Sequence, residues 1–190
     1  MTKQVRGQTR PGAGAPRPWV SKRPRSLPVL GVDIGGVIVD RVAEGSDTSF
    51  FGGRPMETPA VAGAIDCLGT LTGGAFAGRV HLVSKAGPKT ADTTRRWLEH
   101  VDLFTRTGIA RSNVHFVRER VEKAPICDTL SVTHFIDDRI DVLGHLSGVP
   151  FRYLFTGGLG QRSAPRSVPR WALAIDDWPT LCRHIVETVG

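Results

Sequence analysis

The sequence predicts an α/β domain built as a doubly wound parallel sheet, with helices covering both faces in three layers. Short apolar runs rich in β-branched and aromatic residues alternate along the chain with longer segments of helical periodicity. The apolar runs are nearly continuous, which is typical of strands buried on both faces of a parallel sheet. The length of 190 residues suits one domain of this kind and is short for two.

Six strands and four longer helices are predicted, in alternation. The strands are expected at 29–34, 80–84, 113–117, 133–137, 151–155 and 172–175. The helices are expected at 60–71, 90–104, 139–146 and 178–189. Pro59 and Pro179 occupy positions typical of a first helical turn, and Asp177 is interpreted as the N-cap of the last helix.

The excess positive charge lies in one terminal segment. Residues 1–27 contain seven basic residues and no acidic ones, while residues 28–190 contain 18 of each, so the net charge of +7 belongs to the tail. The tail is rich in proline and glycine, and we expect it to be disordered, with a single domain at 28–190. Three interpretations of the tail are open: a solvated extension, a tether to nucleic acid and a cleaved transit peptide.

Several classes of protein are disfavoured by composition. No apolar run approaches the ~20 residues of a membrane span, and the N-terminal segment has no apolar core typical of a secretory signal. Cys67, Cys127 and Cys182 are far apart and lack zinc-site spacing, so we interpret them as small buried residues of a reducing compartment. These observations predict a cytoplasmic protein without membrane contact.

Polar residues stand where three of the predicted strands end. Asp33 lies at the end of the first strand, Ser84 at the end of the second, and Asp137 and Asp138 at the end of the fourth. Ligands of parallel sheets bind outside the carboxyl ends of the strands, so these side chains are expected to share one crevice. Adjacent carboxylates repel each other unless a cation neutralises them, and their hard oxygen atoms suit Mg²⁺.

Lys123 precedes Asp137 by 14 residues and is the only lysine after Lys89. A single lysine is most often a solvated surface charge. In chain order, however, the sequence contains DIGGV at 33–37, Ser84 after an apolar strand, Lys123, and FIDDR at 135–139. This arrangement resembles the haloacid dehalogenase (HAD) superfamily of phosphohydrolases, over about residues 28–156.

The resemblance implies a role for each of these residues. Asp33 would be the nucleophile that forms an aspartyl-phosphate, and it would also ligate Mg²⁺. The backbone carbonyl of Gly35 would be a second metal ligand, and Asp137 and Asp138 would hold the metal directly or through water. Ser84 and Lys123 would bind the phosphoryl oxygens. Phosphoryl transfer depends mainly on positioning and on cations, which this set of residues supplies.

The sequence departs from the family at Gly35, where the usual general acid–base aspartate is missing. Such a group contributes about 10²–10⁴-fold to the rate. A sugar-phosphatase branch with DLGNVIVD motifs also has glycine at this position. Asp40 is an alternative proton donor, although a residue of this kind more commonly lies in a surface loop or at the start of a helix.

The intervals around the first motif and between Ser84 and Lys123 leave no room for a large cap domain. FIDDR and the last helix also resemble the 5′(3′)-deoxyribonucleotidase branch.

The preferred hypothesis is therefore a Mg²⁺-dependent phosphomonoester hydrolase that acts on a nucleotide, a sugar phosphate or a phosphorylated macromolecule. The alternative is a weak or inactive HAD-like binding module that engages a partner or nucleic acid through residues 1–27. A sugar kinase, suggested by LGVDIGG, would need a second domain. A dinucleotide-binding unit lacks the GxGxxG pattern.

Overall fold

The computed structural model describes residues 27–40, 51, 53–158 and 167–189. Within them six strands form one wholly parallel sheet. The strands are β1 (Leu30–Val32), β2 (Val80–Lys85), β3 (Val114–Val117), β4 (His134–Asp137), β5 (Phe151–Phe155) and β6 (Leu173–Ile175). The predicted parallel sheet is confirmed, and each of the six predicted strands is present, with ends shifted by at most two residues.

The strand order is β3-β2-β1-β4-β5-β6. The chain moves outward from β1 to β2 and β3, and then returns to the other side of β1 to place β4, β5 and β6. The direction of winding therefore reverses between β1 and β4. In doubly wound sheets, this switch point opens a crevice at the carboxyl ends of the two strands.

In the described part of the chain, six α-helices cover the two faces of the sheet. They are α1 (Ala64–Gly73), α2 (Pro88–His100), α3 (Leu103–Thr107), α4 (Lys123–Thr129), α5 (Ile140–His145) and α6 (Trp178–Val189). The larger part of the core lies between one face and helices α1, α2, α3 and α6. Helices α4 and α5 pack with the opposite face, so the predicted three layers are confirmed.

Two of the predicted helices differ from the structure. The helix expected at 60–71 begins only at Ala64, because Gly63 adopts a left-handed conformation (φ 78°) just before it. The helix expected at 90–104 is divided into α2 and α3, because Asp102 has φ 52° and turns the chain. Trp97 and Leu98 are nevertheless buried, as the periodicity predicts.

The predicted cap of the last helix is confirmed. Asp177 Oδ1 accepts a hydrogen bond of 2.7 Å from the backbone N–H of Thr180. This bond satisfies one of the free donors at the start of α6.

The described residues form this one layered unit, and no large cap domain is found among them. None of the helices in this part of the chain is long and apolar enough to cross a membrane. The predicted tail lies outside the described residues apart from Leu27, as does most of the segment after Asp40.

Candidate active site

Asp33 and Asp137 lie side by side at the switch point of the sheet. Val32 of β1 pairs with Ile136 of β4, so the next residue on each strand stands at the same level. The backbone N–H of Asp33 donates to the carbonyl of Ile136 at 2.9 Å. The structure thus confirms that the carboxyl ends of β1 and β4 bring these two acids together.

Lys123 lies between the two acids. Its Nζ is 2.7 Å from Oδ2 of Asp137 and 3.1 Å from Oδ1 of Asp33. The residue is only 1% exposed, so it is not the surface charge that a single lysine usually is. It is the first residue of α4, directly after a 3-10 turn at Arg120–Glu122 in which Glu119 and Glu122 form a capping box. The capping box orders the turn that leads directly into α4 at Lys123.

Asp138 completes a cluster of three carboxylates. Asp33, Asp137 and Asp138 each offer an oxygen, and these oxygens all lie within 4.8 Å of one another. One ammonium group cannot balance three carboxylates. The oxygen-only donor set and the remaining negative charge fit a divalent cation such as Mg²⁺.

The charge imbalance shifts the pKa values of the buried pair. Burial raises the pKa of Asp137 well above its ordinary value, and the carboxylates of Asp33 and Asp138 add to the effect, against the opposing ammonium of Lys123. Burial alone would lower the pKa of Lys123, but the carboxylates of Asp137 and Asp33 raise it instead. Lys123 is therefore held in its charged form, while the acids beside it lack sufficient positive charge.

The two oxygens of Asp33 have different surroundings. Oδ1 is sealed from solvent next to Lys123, and no described residue donates a hydrogen bond to it. Oδ2 also accepts no hydrogen bond from a described residue. Unlike Oδ1, however, it is not sealed from solvent. The carboxylate is therefore held by an ion pair and leaves one oxygen available.

Ser84 is buried near the end of β2, with 2% of its surface exposed. Leu82 of β2 pairs with Val32 of β1, so Ser84 lies one residue nearer to the carboxyl edge of the sheet than Asp33 does. Its hydroxyl makes no hydrogen bond with any residue in the described ranges. Its Oγ is not among the side-chain atoms that are fully buried without a partner, so this hydroxyl is not sealed off and can meet a ligand in the crevice.

Gly35 lies in a tight turn after β1. The backbone N–H groups of Ile38 and Val39 both donate to the carbonyl of Ile34 at 2.9 Å, and that of Gly36 donates to Val39 at 2.8 Å. Gly36 has φ 77°, a conformation that favours glycine. The turn is buried, so its backbone has one defined position beside Asp33.

Two neighbouring elements hold this turn from outside. The indole Nε1 of Trp178 donates to the carbonyl of Val37 at 2.8 Å. The backbone N–H of Val61, ahead of α1, donates to Ile38 at 2.8 Å, and that of Asp40 donates to Pro59 at 2.9 Å. Asp40 is itself buried at the end of the turn, so the predicted surface-loop role of this residue is wrong.

Sequence reasoning missed two residues that position the site. Arg139 donates its backbone N–H to Oδ1 of Asp137 at 2.9 Å, and its guanidinium contacts both carboxylate oxygens of Asp141, at 3.1 and 2.9 Å. The arginine directly after the acid pair in FIDDR was the available signal. Trp178 gave only a helix-start signal, and its bond to Val37 spans 141 positions.

Comparisons with known proteins identify the fold. No protein-family model matches the sequence, and no curated protein is significantly similar to it. Among solved structures, it resembles a D,D-heptose 1,7-bisphosphate phosphatase from Burkholderia thailandensis, with a TM-score of 0.52 and 16% sequence identity. The match covers 84% of this chain and 98% of that one. That protein is a phosphatase of the HAD superfamily. The α/β architecture of this chain, with its acidic cluster at the switch point, is therefore the HAD-like fold.

Proposed function

We propose that this protein is a Mg²⁺-dependent phosphomonoester hydrolase that acts through an aspartyl-phosphate on Asp33. The observation that carries the proposal is the buried cluster at the switch point. There one lysine contacts two of three clustered carboxylates, and Ser84 lies near the end of the adjacent strand. The HAD-like fold supports hydrolase chemistry at the family level.

Asp33, Asp137, Asp138 and the backbone carbonyl of Gly35 are proposed to hold the metal ion. When bound, Mg²⁺ would neutralise the acids and withdraw charge from the phosphoryl group. A cation there accounts for three carboxylate oxygens within 4.8 Å of one another in a largely buried cluster. The fit of Mg²⁺ to this site rests on these oxygen ligands.

In the first half of the reaction, Oδ2 of Asp33 attacks the phosphorus atom. The bond from phosphorus to the leaving-group oxygen breaks, and that oxygen takes a proton. Lys123 keeps the Asp33 carboxylate ionised and in place through its contact with Oδ1. The ammonium of Lys123 and the hydroxyl of Ser84 then bind the phosphoryl oxygens, on which negative charge accumulates.

In the second half, water attacks the phosphorus of the aspartyl-phosphate. The bond from phosphorus to Asp33 breaks, phosphate leaves, and the carboxylate returns to its ion pair with Lys123. With glycine at position 35, solvent water or the buried Asp40 supplies and removes the protons. We therefore expect the enzyme to prefer leaving groups that need little protonation.

The substrate class is proposed as a phosphate monoester on a small metabolite or on a nucleic-acid end. The solved neighbour is named for a heptose bisphosphate, which makes sugar phosphates one arm of the test. The seven basic residues of the tail are proposed to recruit nucleic acid, in a cytoplasmic setting. A deletion of residues 1–26 tests this role. Loss of nucleic-acid binding, with a flatter dependence on salt, is expected, and unchanged binding across the salt series would exclude the tether.

The hydrolase proposal is tested by phosphate release from an aryl phosphate with Mg²⁺ or with a chelator. Asp33→Asn should abolish turnover, because an amide cannot act as the nucleophile. Asp92→Asn is the matched control, since Asp92 is an exposed acid of α2 paired with Arg96 at 3.2 Å. Acid-quenched wild-type enzyme should also contain a phosphorylated Asp33 peptide.

Activity that survives Asp33→Asn, or that is unaffected by chelation, would refute the mechanism. The rival function, a non-catalytic binding module, is favoured by Gly35 and by the basic tail. It predicts no turnover of aryl phosphates, sugar phosphates, nucleoside monophosphates or phosphorylated DNA ends. It also predicts that nucleic-acid binding depends on the tail and not on Asp33.

A further inference from the structure

Helices α1 and α6 begin next to each other. A Cβ atom on Gly63, the residue before α1, would lie 3.3 Å from Cδ of Pro179 and 3.5 Å from Cβ of Trp178. These two residues are the first of α6. The starts of the two helices thus approach so closely that a side chain at Gly63 would be tightly packed against α6.

One helical turn further on, each helix carries a cysteine. Cys67 is four residues after Gly63 and Cys182 is four residues after Trp178, which corresponds to about one turn of 3.6 residues in both helices. The helices pack against each other and share one hydrophobic cluster that includes both cysteines. The neighbouring Cys182 contributes to the raised pKa of Cys67, in keeping with this placement of the two side chains. Cys127 belongs to the cluster on the opposite face of the sheet, so the chain provides its own control.

We propose that Cys67 and Cys182 are a redox-active pair that closes into an intramolecular disulfide on reaction with a peroxide. One thiolate attacks a peroxide oxygen, the O–O bond breaks, and a sulfenic acid and hydroxide form. The other sulfur then attacks the sulfenic sulfur, the S–S bond forms, the S–O bond breaks, and water leaves. The peroxide is reduced to two water molecules, and the two thiols lose two electrons and two protons.

The pair is largely buried and slow to react. Cys67 is partly exposed and is the side of the pair that an oxidant can reach, whereas Cys182 is buried, with 9% of its surface exposed. Burial raises the pKa of Cys67 to about 12, with the neighbouring Cys182 adding to the effect. Because the thiolate is the reactive form, the disulfide should form slowly at neutral pH and faster as the pH rises.

A disulfide here would connect the two elements that hold the turn after Asp33. Trp178 at the start of α6 bonds to Val37, and Val61 ahead of α1 bonds to Ile38. The closed loop would contain residues 68–181, and a loop of this length constrains the unfolded chain strongly. We expect the Tm to rise by about 5–10 °C on oxidation.

The test is to treat the full-length protein with hydrogen peroxide at pH 7 and pH 9 and to map its thiols. The expected products are a monomer that is 2 Da lighter, a linked Cys67–Cys182 peptide, and one remaining free thiol at Cys127. Cys127→Ser should form the same link with no free thiol left. Cys67→Ala should not form it, and its Tm should be insensitive to the oxidant.

Three free thiols in treated wild-type protein would overturn the proposal, and so would a link that involves Cys127 or joins two chains. A linked peptide that leaves the Tm unchanged would overturn the inferred connection between the two helices. These readouts do not use phosphatase activity, so they stand apart from the proposed function.

Discussion

Replacing Lys123 with methionine tests whether the lysine holds the acidic cluster together. Methionine fills most of the same volume without charge. The substitution removes an ammonium group with contacts of 2.7 Å to Asp137 and 3.1 Å to Asp33. Breaking a buried ion pair by removing one partner costs about 3–5 kcal/mol. For a domain of this size, we expect the Tm to fall by about 6–20 °C.

The stability that Lys123→Met loses relative to the wild type should depend on pH in a defined direction. Without the ammonium that opposes it, the pKa of Asp137 should rise further above its ordinary value. A carboxyl with a raised pKa in the folded state stabilises the fold below its ordinary pKa of about 3.9, and this contribution is lost as the pH rises through the folded-state value. The wild-type carboxyl ionises near its folded-state pKa of about 8 and that of the variant at a higher pH, so the deficit of the variant should be larger at pH 9 than at pH 6.

The assay is thermal unfolding in a chelator across this pH range, repeated with excess Mg²⁺. Lys85→Met is the matched control, because Lys85 is exposed and forms no ion pair with another described residue. Its Tm should stay within about 2 °C of the wild type. The reasoning is refuted if Lys123→Met melts as the wild type does at pH 9 without metal, or if its deficit grows as the pH falls.

Four further outcomes are expected. Trp178→Phe removes the buried bond to Val37, and it should lower the free energy of unfolding by about 1–3 kcal/mol in urea titrations; no change would mean that another group holds the turn. Gly157→Ala should lower stability by about 1–3 kcal/mol or more, because the added Cβ would overlap the backbone carbonyl of Asp176. The metal-free wild type should lose stability as the pH rises from the ordinary pKa of an aspartate through the raised pKa of Asp137. Excess Mg²⁺ should make its stability less dependent on pH. Gly35→Asp should raise kcat by up to about 10²-fold on poor leaving groups, and an equal rate would argue that proton donation does not limit turnover.

The sequence was most informative where local pattern and function coincide. The continuous apolar strands could be read directly, because burial on both faces leaves few polar residues in them. The positions of Asp33, Ser84 and Asp137 at strand ends followed from the same pattern. Their expected convergence needed only the rule that parallel strands end at one edge of the sheet.

The helix boundaries and the burial of Lys123 could not be predicted in the same way. A left-handed residue at Gly63 delays α1, and one at Asp102 divides α2 from α3. These backbone conformations depend on the packing around them, and neither residue type requires them. A lone lysine likewise has no local signal for burial, and only the fold shows that Asp33 and Asp137 lie within 3.1 Å of its ammonium.

The sequence by itself determined the class of the fold and which residue types could serve phosphoryl transfer. The tertiary structure decided which of them meet. It brings together Asp33, Lys123 and Asp137, and it packs against each other the helices that carry Cys67 and Cys182, which the sequence separates by 115 positions. A strand can be recognised from the local pattern of apolar residues, whereas ion pairs and pairs of cysteines depend on how distant segments of the chain pack together.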